Sequence, residues 1–203
     1  MDYNTEGVAE FVLDLFDKNY KGICIDVGAY HATWLNNSYL LEEKGWEVFC
    51  IEPNPHCQEM LVSRKNVYNY AMGTENKDNV DFYIYNLGHG PNGEAGGTGL
   101  IYYDHPQHLT TIKVKVRTLD WFIENVAKVD HVDFLAIDTE GSELDVLRGI
   151  NLDRWGLKVI AVENLYYDAA NLEPHNIEQD EYLTARGYNK IERIMFNDIY
   201  RRG

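Results

Sequence analysis

The sequence predicts an α/β protein whose sheet is mostly parallel and carries helices on both faces. Apolar strand-like runs alternate with helix-like runs along most of the 203 residues, and strands that are joined by helices run parallel. The chain ends, over 188–202, in two adjacent strand-like runs with no helix between them. Neither an internal repeat nor a linker interrupts this pattern, so we expect a single domain over residues 1–203.

The first half of the chain supplies three predicted strands. A helix is expected within residues 1–20, where apolar residues recur at helical spacing. The elements after it are, in order, a strand over 23–25 that leads into Asp26-Val27-Gly28, a helix over 31–44 closed by Gly45, a strand within 46–53 stopped by Pro53, a short helix over 56–64 and a strand over 66–73.

The second half adds an antiparallel pair and two further parallel strands. Residues 80–85 and 110–116 alternate polar and apolar side chains, as antiparallel strands do. The stretch between them, 86–99, has six glycines in fourteen residues and is predicted to be a mobile loop, either a functional lid or a plain hairpin insertion. The remaining elements are, in order, a helix over 118–126 capped by Thr118, a strand over 132–138, a helix over 141–150, a strand over 158–165, a helix over 176–186 ended by Gly187, and two last strands with a turn near Asn197-Asp198.

Charge and cysteine content exclude several kinds of partner. The formal net charge is −15 and the isoelectric point about 4.8, so the protein repels polyanions, and neither nucleic acid nor an anionic membrane is expected as a partner. No run of 18 apolar residues is present, and the acidic N-terminus does not have the basic start of a signal peptide. The three cysteines, without framework spacing, indicate reduced thiols and a cytoplasmic location.

Polar residues stand at the carboxyl ends of all five predicted parallel strands, where open α/β sheets bind their ligands. They are Asp26, Gly28, Ala29, Tyr30 and His31 after the first strand; Glu52, Pro53 and Asn54 after the second; Asn69, Tyr70 and Ala71 at the third; Asp138, Thr139 and Glu140 after the fourth; and Glu163 and Asn164 after the fifth. Packing alone does not explain this arrangement, which predicts a binding site.

The first two strand ends indicate a nucleoside-containing cofactor. Glu52 follows Gly28 by about 24 residues, and an acid at that place can accept both hydroxyls of a ribose, while the glycine lets a ligand approach the backbone. The turn D-V-G-A-Y-H-A is not the G-x-G-x-x-G of dinucleotide sites, and Asp26 would repel a pyrophosphate but suit an ammonium group. These points favour S-adenosylmethionine over NAD, with an NAD-dependent oxidoreductase as the less favoured alternative.

Five segments together resemble the FkbM-type methyltransferases of the class I S-adenosylmethionine-dependent superfamily. They are IDVGAY, IEPNP, VRTLDWFI, DFLAIDTEGSELDVLRG and AVEN, and the resemblance extends over roughly residues 20–200. It implies a Rossmann-like class I methyltransferase fold, with a seven-stranded, mostly parallel sheet of order 3-2-1-4-5-7-6 in which strand 7 is antiparallel. It also implies methyl transfer to a hydroxyl of a small molecule or sugar, with S-adenosylhomocysteine as a product.

The resemblance assigns cofactor contacts by position. It implies that the turn after the first strand lines the methionine part, that Glu52 holds the ribose, and that Pro53 flanks the adenine. Residues 69–71 would offer groups to the adenine, and Asp138 would lie beside the transferred methyl. The expected cofactor-binding residues are Asp26, Gly28, Ala29, Tyr30, Glu52, Pro53, Asn69, Tyr70, Ala71 and Asp138.

Methyl transfer to a hydroxyl requires alignment of the acceptor oxygen and removal of its proton. Asp138 is the first candidate for the base, and His31 is a weaker catalytic candidate. The expected substrate-binding residues are Glu140, Glu163, Asn164 and His89, of which His89 is also a weak candidate for the base.

Two questions about the acidic strand ends stay open at this point. Asp138, Glu163 and Asn164 could offer oxygen ligands to a divalent metal, but strand-end capping is favoured and no metal ligand is assigned. Glu143 is expected to be structural, because an acid in the first turn of a helix favours the helix dipole. A non-catalytic module that binds S-adenosylmethionine is the alternative to an enzyme.

Overall fold

The computed structural model describes residues 7–85, 98–104, 106, 108–164, 167–168, 173–174 and 177–203. Its strands are β1 (Ile23–Val27), β2 (Glu47–Ile51), β3 (Val67–Tyr68), β4 (Ala71–Met72), β5 (Lys77–Tyr85), β6 (His108–Arg117), β7 (Phe134–Ile137), β8 (Val159–Glu163), β9 (Tyr167–Asp168), β10 (Glu173–Pro174), β11 (Tyr188–Ile194) and β12 (Asn197–Arg202). Its α-helices are α1 (Val8–Asp14), α2 (Tyr39–Glu43), α3 (Pro55–Met60), α4 (Leu119–Phe122), α5 (Glu143–Arg148) and α6 (Ile177–Thr184). A 3₁₀ turn follows α3 at Leu61–Ser63, and a π-helical turn follows α4 at Ile123–Ala127.

Seven strands form the large sheet, in the order β11-β12-β8-β7-β1-β2-β3. Numbered along the chain, these seven strands have the order 3-2-1-4-5-7-6 when the list is read from β3. The pairs from β3 to β8 are parallel, and β12 runs antiparallel to both β8 and β11. The predicted fold class is therefore confirmed, and the carboxyl ends of five parallel strands lie along one edge.

The central strands of the large sheet are buried on both faces, which explains why they are continuous apolar runs. Successive side chains of a strand point to opposite faces. On one face Ile25 and Val27 belong to a cluster with residues of α4, α5 and α6. On the other face Cys24 packs in a cluster with residues of α1 and α2. The three cysteines are buried thiols that form no disulfide within the described residues.

The helix predicted over 31–44 begins only at Tyr39. Residues 31–38 form turns instead, because the Asn36 amide replaces helical hydrogen bonds. Its Nδ2 donates to the carbonyl oxygens of Ala29 (2.9 Å) and His31 (2.8 Å), and its Oδ1 accepts from the Ser38 (2.9 Å) and Tyr39 (2.7 Å) backbone N–H groups. The chain after β1 is thus held as a loop beside the strand end.

The strand predicted over 66–73 is divided between two sheets. β3 pairs with β2 in the large sheet, whereas β4 pairs with β6 in a three-stranded sheet of order β4-β6-β5, which we call the small sheet. The expected antiparallel pair is present as β5 and β6. Buried side chains between the strands hold the small sheet together: Ala71, Phe82, Ile84, Val114 and Val116.

Three further differences concern the loops and the ends. Of the loop predicted over 86–99, residues 86–97 lie outside the described residues, and Gly99 forms a bridge with Tyr83. The final turn is at Met195 and Phe196, before Asn197, because the buried Asp198 is held inside β12 by Arg193. None of the helices in the described part of the chain combines the length and apolar character that crossing a membrane requires.

Candidate active site

A cavity of about 600 Å³ opens at the carboxyl ends of β1, β2, β7 and β8, against the small sheet. This volume is within the range of sites that bind small molecules and cofactors. Of the residues predicted to bind or react, those that line it are Asp26, Gly28, Ala29, Tyr30, Glu52, Pro53, Tyr70, Ala71, Asp138, Glu140 and Glu163. The fold thus gathers residues from five segments that are distant in the chain.

Gly28 brings two strand ends into backbone contact. Its φ is +84°, and a Cβ there would lie 1.6 Å from the carbonyl oxygen of Asp138. Its N–H donates to the Ile51 carbonyl oxygen (2.9 Å), and the Asp138 N–H donates to the Val27 carbonyl oxygen (2.9 Å). Only glycine fits this position, and the turn after β1 therefore lies directly against the acid at the end of β7.

Asp26 is buried behind this turn in a polar network. It accepts a hydrogen bond from the Ser38 hydroxyl at 2.5 Å. Burial raises the pKa of Asp26, and the Ser38 hydrogen bond and the Arg64 charge act in the opposite direction. The buried Arg64 donates to Ser38 Oγ (3.0 Å) and Asn36 Oδ1 (3.1 Å), and it contacts the Glu42 carboxylate. The sequence carried no signal for this arginine, since an arginine at the end of a short helix is usually exposed.

Glu52 is a buried carboxylate at the end of β2. Its oxygens accept from the backbone N–H groups of Tyr30 (3.2 Å) and Asn54 (2.8 Å). Burial raises the pKa of Glu52 to about 7, although the two backbone hydrogen bonds lower it. A carboxylate that is held this way in a cavity can accept hydrogen bonds from two adjacent hydroxyl groups.

Apolar side chains make up much of the rest of the cavity lining. Tyr70, in the connection between β3 and β4, and Ala71, in β4, also line the cavity, whereas Asn69 is not among the described lining residues. Sequence reasoning missed several lining side chains, since no local pattern separates a residue that faces a ligand from one that faces a core. They include Trp34, Leu35, Met72, Phe82, Leu100 and Phe196.

Three acidic residues that line the cavity lie close to one another. Asp138, Glu140 and Glu163 each offer one oxygen, and these oxygens all lie within 4.8 Å of one another. Glu163 is only 6% exposed, and its Oε2 has no hydrogen-bond partner among the described residues. Burial, then the charges of Asp138 and Glu140, raise the pKa of Glu163 far above its ordinary value.

The Glu143 side chain stabilises the turn that contains Glu140. Its Oε1 accepts from the Thr139 N–H (3.0 Å), the Thr139 hydroxyl (3.0 Å) and the Gly141 N–H (2.9 Å). Glu140 and Gly141 both have positive φ, +56° and +109°, so the turn needs such an anchor. Glu143 therefore has the structural role that its position predicted, although the turn before the helix is what it stabilises.

The remaining predicted residues lie elsewhere. His31 is not among the described lining residues: its Nδ1 accepts from the N–H groups of Thr33 (3.2 Å) and Trp34 (3.0 Å), and burial lowers its pKa. Asn164 is buried and donates to Asp198 Oδ2 (2.9 Å), which ties β8 to β12. His89 lies outside the described residues.

The sheet order, together with a cavity at the carboxyl ends of its parallel strands, defines the Rossmann-like fold of class I methyltransferases. The model of the Methyltransferase FkbM domain family matches residues 26–190, and the chain therefore belongs to the FkbM methyltransferase family. The resemblance found in the sequence is confirmed.

Individual proteins resemble the chain either over part of its length or at low sequence identity. "Methyltransferase 1" of Beauveria bassiana (strain ARSEF 2860) is 37% identical over 82 residues, which are 40% of this chain and 31% of that protein. Precorrin-6y C5,15-methyltransferase from Geobacter metallireducens GS-15 has 14% identity and a TM-score of 0.48, with 98% of this chain and 87% of that chain covered. The N-terminal domain of human METTL16 in complex with SAH has 16% identity and a TM-score of 0.41, with 95% and 67% covered.

Proposed function

We propose that the chain, as one domain over residues 1–203, is an S-adenosylmethionine-dependent methyltransferase that methylates a hydroxyl group of a small molecule or sugar. The observation that carries the proposal is the buried Glu52 carboxylate, which lies beside the Gly28 turn in a cavity of about 600 Å³. Membership of the FkbM family supports the reaction class.

The residues present fit this cofactor. Glu52 can accept the two ribose hydroxyls, and apolar lining side chains such as Ile51 and Met72 suit a flat base. Asp26, directly behind the turn, disfavours a pyrophosphate and favours the ammonium group of a methionine. S-adenosylmethionine supplies a methyl group on a sulfonium, and the protein's task is to align an acceptor oxygen with it.

The charge of the cavity restricts the acceptor. Asp138, Glu140 and Glu163 line it, and no lysine or arginine is among the lining residues that the structure describes. An anionic acceptor would therefore be repelled. A neutral hydroxyl fits better, and Asp138, which lies against the Gly28 turn, is the group best situated to take its proton.

The test is transfer of a labelled methyl group from S-adenosylmethionine to a panel of sugars, alcohols, phenols and amines. We expect labelled O-methyl product with the wild type and with Glu181→Gln, an exposed control, and a rate lower by about 10²–10⁴ in Asp138→Asn. Label on nitrogen would contradict the hydroxyl acceptor. Binding of S-adenosylhomocysteine without any transfer would indicate a non-catalytic module, and binding of NADH in its place would indicate an oxidoreductase.

A further inference from the structure

We propose that Asp138, Glu140 and Glu163, which line the cavity, bind one hard divalent cation. One oxygen from each lies within 4.8 Å of the other two. Ligands on opposite sides of Mg²⁺ are separated by about 4.1 Å and those of Ca²⁺ by about 4.6–5.2 Å, and the 4.8 Å limit on these oxygen separations lies between the two. The site goes beyond the proposed function, and binding of the cation does not depend on it.

The Oε2 atom of Glu163 is independent evidence for a ligand. Glu163 lines the cavity, is 6% exposed, and has this oxygen without a hydrogen-bond partner in the described part of the chain. A buried carboxylate oxygen without a partner is destabilising by a few kcal/mol, and a bound cation would compensate for it. Acidic clusters on an exposed surface are common without a metal, but this oxygen has lost contact with water.

The charge balance around the cluster also favours a cation. The described lining residues include no lysine or arginine, and the buried Arg64 is bonded to Ser38, Asn36 and Glu42. A proton on Glu163 would neutralise one of the three charges. A divalent cation neutralises two, and if the proposed function holds, the sulfonium of the cofactor supplies the third.

The three ligands stand on rigid elements, as a metal site requires. Asp138 follows β7 and is fixed by its N–H bond to Val27, and Glu163 is the last residue of β8. Glu140 lies in the turn whose N–H groups are held by Glu143. A cation here would lie next to Asp138, where an acceptor hydroxyl has to arrive, and would lower the pKa of that hydroxyl; this catalytic role, unlike the binding, rests on the proposed function.

The experiment is titration of the chelator-treated full chain with MnCl₂, followed by electron paramagnetic resonance of free Mn²⁺, with MgCl₂ and CaCl₂ as competitors. We expect one equivalent of Mn²⁺ to bind, a loss of at least tenfold in affinity in Glu163→Gln, and no change in Glu181→Gln. Glutamine is uncharged and has nearly the shape of the glutamic acid side chain, so the unfolding temperature of Glu163→Gln should be no lower than that of the wild type. This measurement excludes misfolding as the cause.

Two outcomes would overturn the site: no stoichiometric binding at millimolar Mn²⁺, or equal affinity in wild type and Glu163→Gln. Titration of the same samples with S-adenosylhomocysteine in the presence of EDTA separates this proposal from the proposed function. Binding of S-adenosylhomocysteine without any binding of Mn²⁺ would refute the cation site alone. Binding of Mn²⁺ without S-adenosylhomocysteine would refute the proposed function alone.

Discussion

Binding of S-adenosylhomocysteine should become tighter as the pH rises through about 7, because the proposed ribose acceptor must be ionised. Burial raises the pKa of Glu52 to about 7 in the ligand-free protein. The ionised carboxylate can accept from both ribose hydroxyls, whereas the protonated form is left with an O–H that competes for one of these places. The ligand therefore selects the ionised form of Glu52.

The size of the effect follows from the pKa. At pH 8 about nine in ten Glu52 side chains are ionised, and at pH 6 about one in ten. The dissociation constant should therefore rise about tenfold from pH 8 to pH 6, which is about 1.4 kcal/mol. Glu52→Gln removes the charge, and at pH 8 it should weaken binding by about 2–3 kcal/mol, since hydrogen bonds to a charged group are lost. Its residual binding should not change with pH through this group.

The same substitution should not destabilise the protein. A carboxyl whose pKa is raised on folding contributes stability at low pH that is lost as the pH rises, here between about 4.5 and about 7 for Glu52. At pH 8 the buried charge costs up to about 3 kcal/mol, which the glutamine avoids. Glutamine offers only one acceptor oxygen to the N–H groups of Tyr30 and Asn54, so this gain in stability is reduced by about 1 kcal/mol.

Isothermal titration calorimetry at pH 6, 7 and 8 measures the affinities, and thermal unfolding at pH 8 measures the stability. Glu181→Gln, an exposed substitution of the same chemistry, serves as the control. The reasoning is refuted if wild-type affinity is the same at pH 6 and pH 8, or if Glu52→Gln binds as tightly as the wild type. A variant that binds weakly and also unfolds at a lower temperature would show that Glu52 acts through the fold.

Three further predictions concern the scaffold. Gly28→Ala would place a Cβ 1.6 Å from the Asp138 carbonyl oxygen and should give no folded protein. Gly187→Ala, at a φ of +82° with open space around it, should lower the free energy of unfolding in urea by only about 1–2 kcal/mol. Equal losses in the two variants would contradict this reasoning. Glu143→Ala removes the acceptor of three donors and should lose about 2–4 kcal/mol in urea unfolding, and a loss below about 1 kcal/mol would be evidence against its anchoring role. Arg64→Met leaves the carboxylates of Asp26 and Glu42 without a compensating charge and should lower the free energy of unfolding by about 3–5 kcal/mol in denaturant titration. Wild-type stability would contradict the stabilising role of Arg64.

The parallel core could be predicted because its signal is local. The strands β1, β7 and β8 are buried on both faces, so apolar residues are nearly continuous in each of them. The strand order depends on contacts between distant segments, and the resemblance to a family, rather than periodicity, predicted it. The cavity lining could be predicted in the same way: Glu52, Asp138 and Glu163 line one cavity because the carboxyl ends of parallel strands share an edge.

The parts that could not be predicted depend on single long-range contacts. The helix over 31–44 starts late because the Asn36 side chain bonds to the backbone on both sides of it. Arg64 is buried because Glu42 and Ser38, more than twenty residues away, receive its guanidinium. The unpartnered oxygen of Glu163 results from burial by surrounding elements, and composition at a strand end gives no measure of that.

The division of the predicted third strand has a consequence for how this protein can diversify. The large sheet contributes Gly28, Glu52 and Asp138 to the cavity, whereas the small sheet and the residues after it contribute Phe82 and Leu100. Only the two residues between β3 and β4 join the two sheets at this point in the chain. A substitution confined to the small sheet can therefore change the shape of the cavity without moving Glu52 or Asp138, which stand at the ends of large-sheet strands.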